Sequence, residues 1–83
     1  MNAPDQVELD KVRKVIARTF KLPLSEVTSA SALGKLPGWD SVGHIQLMME
    51  MEMEFDVRFP TEKINQPQSA EQICNLVNEV KGK

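Results

Sequence analysis

The chain has 83 residues, 41% apolar and 27% charged, with a net charge of −2. That length holds one small domain with a modest core, and the mixture is globular rather than disordered. No window is apolar enough for a membrane span, the N-terminus lacks a signal peptide's apolar core, and the lone Cys74 excludes an internal disulfide.

These features predict a single domain over residues 1–83 with frayed termini, working in a reducing cytoplasm. Charge is unevenly spread. Residues 40–56 hold Asp40, Glu50, Glu52, Glu54 and Asp56 with no base, whereas residues 1–21 carry a surplus of Lys and Arg. An acidic face steers basic protein surfaces toward it and argues against nucleic acid as a partner.

The first helix is predicted from about Asp5 to Thr19, where Leu9, Val12, Ile16 and Phe20 recur at helical spacing. Pro23 forbids its continuation. Residues 20–39 form a long connection that holds Leu22, Leu24, Val27, Leu33 and Leu36, too many apolar groups for a free linker. It is expected to lie across the core, with turns of helix at Ser25–Val27 and Ser31–Leu33.

Asp40 is placed to cap a second helix running to about Glu54, with Ser41 in the first helical position. A short helical turn is predicted at Pro60–Ile64. Ser69 and Gln72 make a capping-box pattern for the last helix, whose buried stripe is Ile73, Leu76, Val77 and Val80. Nothing alternates as strands do. The fold class is therefore all-α: a small bundle of three main helices plus one short helix, with a long first loop.

The second helix is unusual because it is apolar on two opposite sides. Leu47, Met48, Met51 and Phe55, with His44 among them, make one face wide enough to enter a core. Val42, Ile45, Met49 and Met53 make the opposite stripe, edged by Glu52 on one side and by Gln46, Glu50 and Glu54 on the other. An 83-residue chain has too few helices to bury both. The second stripe, with Glu52 at its rim, is expected to be an exposed partner-binding surface.

From Leu36-Pro37-Gly38-Trp39-Asp40-Ser41-Val42, through Leu47, Met51, Glu52, Phe55 and Asp56 to Phe59-Pro60 and the closing helix with Ile73 and Val77, the chain resembles the acyl carrier proteins. The resemblance covers almost the whole chain and shares the family's length and helix order. It implies that Ser41 is the attachment point for 4′-phosphopantetheine, transferred from coenzyme A by a phosphopantetheinyl transferase. It implies also that Asp40 serves transferase recognition besides capping the helix. The thiol of that arm would hold acyl or aminoacyl groups as thioesters, as in fatty acid or polyketide biosynthesis. The protein would catalyse nothing itself. It would act as a monomer, loaded by an acyl- or aminoacyl-loading ligase and presenting its cargo to a synthase or acyltransferase. Met48, Met51 and Phe55 would line any space that an acyl chain entered.

The chain departs from carriers of central fatty-acid synthesis in the first turns of this helix. Gly43, His44 and Gln46 stand where that group is strongly acidic, and the acids come later. A specialised carrier with a dedicated ligase or synthase fits better than a general one. Trp39-Asp40 favours the acyl kind over the peptidyl carriers of non-ribosomal systems, which remain an alternative, as does an unmodified helical adaptor using the same apolar stripe. Trp39 has two readings, a contact for the arm or a partner, and a ring packed against the long loop. His44, on the core-facing side, reads as a buried, hydrogen-bonded histidine rather than a metal ligand, and Cys74 reads as packing rather than a nucleophile.

Overall fold

Helix α1 spans Gln6–Phe20 and buries Leu9, Val12, Val15, Ile16 and Ala17, the apolar stripe on one of its faces. It ends where Lys21 turns into the left-handed region at φ 58°. The Leu22 amide then donates back to Ala17 O at 2.9 Å, a closing bond that satisfies one of the last free carbonyls. The structure, a computed structural model, describes residues 6–81, so the expected helix start at Asp5 and the frayed termini fall outside the described residues.

The long connection lies across the core as its apolar content requires. A single 3₁₀ turn forms at Leu24–Glu26, and Val27 behind it is fully buried. Arg13 of α1 holds this corner through a 2.8 Å bond from Nε to Val27 O. The expected helical turn at Ser31–Leu33 is absent. Instead Ala32 forms an isolated antiparallel bridge with Ser69. Leu33 N–H donates to Gln68 O at 2.8 Å, and Ser31 O accepts from Ala70 N–H at 2.9 Å. The loop's backbone is paired partly with the start of the last helix and partly in local turns, with Ser31 N–H donating to Thr28 O at 3.1 Å and Lys35 N–H to Ala32 O at 2.9 Å, which meets the demand that buried backbone be paired.

Helix α2 runs Ser41–Phe55 and leaves through Asp56 in the left-handed region, with Val57 N–H returning to Glu52 O. A 3₁₀ turn at Thr61–Lys63 follows Pro60, as predicted for that segment. Helix α3 spans Ala70–Lys81 and buries Ala70, Ile73, Cys74, Leu76 and Val77; Val80 is half-buried. Ser69 Oγ accepts from Gln72 N–H at 3.2 Å, while the Gln72 side chain reaches back to Gln68 N–H rather than to Ser69 itself. Among the described residues there is no strand beyond the isolated bridge. Helix α1 packs against both α2 and α3, and the ion pairs Lys81–Glu8 and Lys63–Glu79 close the far ends. No helix among the described residues is long and apolar enough to cross a membrane.

Candidate functional site

The start of α2 is built by four consecutive residues with separate tasks. Gly38 turns the chain at φ +87°, a conformation that side chains resist. Trp39 then points into the core and is 1% exposed. Asp40, extended, caps the helix: its Oδ1 accepts from Gly43 N–H at 2.8 Å, and its carbonyl accepts from His44 N–H at 2.7 Å. Ser41 follows as the first helical residue, exposed to solvent. Asp40 and Ser41 stand at the surface because Trp39 before them is anchored inside.

The anchor is a hydrogen bond between two buried rings. Trp39 Nε1 lies 3.0 Å from His44 Nδ1, and the rings are nearly parallel, at 7°. An indole N–H can only donate, so Nδ1 must accept and Nε2 carries the imidazole proton. That proton faces Ile64 O at 2.9 Å. Trp39 and His44 occupy the positions before the cap and four into the helix, the geometry of a hydrophobic staple, here with a polar bond added. The Phe20 ring stacks on Trp39 at 6.0 Å between centroids. One histidine therefore joins the long loop, α2 and the segment before α3. Both of its nitrogens are engaged by the protein, which accords with the packed reading of His44. The reading of Trp39 as a contact for an arm or a partner is corrected: its large apolar ring is buried against Phe20, and the bond to His44 satisfies its indole N–H inside the core.

Gly43 has a packing role that its helical position does not reveal. A Cβ built there would fall 2.0 Å from Gly38 O and 3.1 Å from the Phe20 ring. The loop backbone lies directly against the first turn of α2, and only glycine allows it. The signal in the sequence was the glycine itself, a costly residue inside a helix that calls for a reason.

The two stripes of α2 divide sharply. His44, Leu47, Met48 and Met51 are buried and Phe55 is half-buried. On the other side Val42 is 78% exposed, Ile45 52%, Met49 56% and Met53 72%. Four large apolar side chains thus run down one helix from beside Ser41 with nothing over them among the described residues. Glu52, at their edge, is half-buried, and its Oε2 accepts from Phe59 N–H at 2.8 Å. Two further residues meet α2 without a signal in the sequence: Arg18, which reaches Glu50 and Glu54 from α1, and Ile64, whose carbonyl receives His44 on the buried side.

The pattern of the family described as Phosphopantetheine attachment site matches residues 10–77. An acyl carrier protein of Rickettsia bellii (strain RML369-C) is 32% identical over 98% of this chain and 93% of its own length. The chain belongs to the acyl carrier protein family. A second Rickettsia bellii acyl carrier protein (strain OSU 85-389) is 30% identical over 98% of this chain and 99% of its own. One from Cyanidioschyzon merolae (strain NIES-3377 / 10D) is 26% identical over 88% and 80%. Acyl carrier proteins are carriers rather than enzymes, and their prosthetic group is 4′-phosphopantetheine, which is the cofactor of this chain. The start of α2 fits such a group. It offers an open hydroxyl, and beside it the amides of a helix N-terminus and the positive end of the helix dipole, which favour a phosphodiester.

Proposed function

We propose that Ser41 carries the 4′-phosphopantetheine arm, that Asp40 holds the helix start and serves transferase recognition, and that Val42, Ile45, Met49 and Met53, with Glu52 at their rim, form the surface on which partner enzymes dock. The observation that carries this reading is the division of α2, in which one apolar stripe is buried and a second stays exposed below an exposed serine. The arm's thiol supplies thioester chemistry when present. The chain's own residues position it: Asp40 fixes where the helix begins, the Trp39–His44 pair fixes the loop behind it, and Ser41 Oγ stands clear of the core.

Asp40 has two opposed electrostatic effects. Its carboxylate stabilises the free amides of the first turn but repels a phosphodiester on the next residue. Its contribution to modification is therefore recognition by the transferase rather than attraction of the phosphate. The protein is proposed to be a single cytoplasmic domain that acts as a monomer and catalyses nothing. A transferase modifies it, a ligase loads it with an acyl or aminoacyl group, and a synthase or acyltransferase receives the cargo. An acyl group is favoured over a peptidyl one by Trp39-Asp40.

Incubation with coenzyme A and a broad-specificity phosphopantetheinyl transferase is expected to raise the intact mass by one phosphopantetheinyl group. The product should also gain one fast-reacting thiol, distinguishable from Cys74, which is completely buried. No mass gain would remove the carrier reading and leave the unmodified adaptor.

The two stripes make a paired prediction. Met48→Ala is expected to cost about 2–5 kcal/mol of stability, as truncation of a buried methionine does. Met49→Ala should stay within about 0.5 kcal/mol of the parent, because the site is exposed. It should instead lower kcat/KM for transfer by about tenfold, the loss of an apolar contact at the centre of a docking surface. Urea denaturation and transfer kinetics on the two variants check this. Equal stability losses, or unchanged kinetics for Met49→Ala, would mean that the exposed stripe is not a docking surface.

A further inference from the structure

The five acids of residues 40–56 look in sequence like a lure for a basic partner, but the structure engages most of them within the chain. Asp40 caps α2. Glu50 Oε1 lies 3.5 Å from Arg18 Nη2, and its other oxygen accepts from Gln46 Nε2 at 3.3 Å. Glu54 Oε1 lies 3.3 Å from Arg18 Nη1. Glu52 accepts from the Phe59 amide. Asp56 shares a surface depression with Arg58.

Arg18 belongs to α1, and two more bases lie on the same face of that helix at helical spacing. Lys11 sits over the Phe55 ring at 5.8 Å, and Lys14 is exposed between Lys11 and Arg18 in sequence. The edge of the apolar stripe made by Gln46, Glu50 and Glu54 therefore faces a row of cations. A base on a partner approaching that edge would find its carboxylates already paired and like charges within a Debye length.

We propose that Arg18 sets the partner class of this surface. It offsets one of the two charges of Glu50 and Glu54 from within the chain and, with Lys11 and Lys14 on the same face of α1, leaves that edge without net negative charge, so that the α2 stripe takes a partner whose contact face is apolar and without a cluster of bases. This rests on the reading of the stripe as the docking surface and names what docks there. Arg18 is a specificity residue. Its pairs are exposed, at 57% for Arg18, and so contribute little to folding, which leaves their effect on partner choice free to vary.

The test uses the whole chain and a transferase whose carrier-docking face is basic, with kcat/KM for transfer from coenzyme A measured from low to physiological ionic strength. Four proteins are compared: the parent, Arg18→Gln, Arg18→Gln with Glu50→Gln and Glu54→Gln, and Lys35→Gln. The last removes the same charge from an exposed loop position. The parent is expected to be nearly independent of salt. Arg18→Gln should gain about fivefold at low salt and lose the gain as salt rises, because unmasked rim acids act on encounter. The triple variant, one charge more positive than the parent, should show no gain at low salt, and Lys35→Gln should follow the parent. A steep profile for the parent, or an Arg18→Gln profile that matches Lys35→Gln, overturns the proposal. Absence of transfer to every variant would instead remove the carrier reading on which it rests.

Discussion

Trp39→Ala is expected to lose about 3–5 kcal/mol of folding stability, the usual cost of truncating a buried aromatic. Domains of this kind have roughly 5–15 kcal/mol in total, and a short chain lies toward the low end, so the variant should be largely unfolded or poorly cooperative. Three contacts go together. The ring stacks on Phe20, lies parallel to His44, and supplies the donor that reaches His44 Nδ1. Trp39→Phe separates them. It keeps an aromatic ring in the core but leaves the buried Nδ1 without a donor, at a cost of about 1–3 kcal/mol. Urea denaturation followed by circular dichroism reads both. A loss below about 1 kcal/mol for Trp39→Ala would mean that the ring does not anchor the loop behind Ser41.

Gly43→Ala tests the same corner through its sign. In an unobstructed helix interior this change stabilises by about 1 kcal/mol, since glycine is a poor helix former. Here the added methyl would meet a backbone carbonyl at 2.0 Å, a separation that real Cβ atoms do not show. The carbonyl belongs to Gly38 in the turn that leads into Trp39, so relief of the clash must move the turn and disturb the staple. The expected outcome is destabilisation by about 1–3 kcal/mol, the range of overpacking. A slower transfer to Ser41 should accompany it, because the loop beside the cap shifts. A stabilised Gly43→Ala would contradict the close approach of loop and helix.

Much of this fold was legible because its signals are local. The cap at Asp40, the two stripes of α2 and the capping residues before α3 depend on spacings of three and four, which a helix turns directly into faces. The staple was also within reach, since Trp39 and His44 hold the positions before the cap and at the fourth helical residue. What could not be read is long-range. The bridge between Ala32 and Ser69 joins segments far apart in the chain, and nothing near Ser31–Leu33 announces that the Leu33 amide and the Ser31 carbonyl pair there rather than in a helical turn. The pairing of Arg18 with Glu50 and Glu54 has the same character. Read along the chain, those acids seemed free to attract a partner; in the fold a base from another helix already faces them. The expected cargo space is also not evident. Met48 and Met51 are fully packed into the core, and neither described depression is lined by them or by Phe55.

The site is where local and long-range causes meet. Asp40 and Ser41 owe their positions to a helix start that the sequence announces, and their exposure to an aromatic anchor and a glycine contact that only the fold brings together.

The most direct measurement is the intact mass of the parent and of Ser41→Ala after incubation with coenzyme A and transferase. The hydroxyl is exposed and its loss should leave the fold unchanged, so any difference reports the attachment itself. One added phosphopantetheinyl group on the parent and none on Ser41→Ala is the predicted result. The same gain on both proteins would place the group elsewhere and contradict the account.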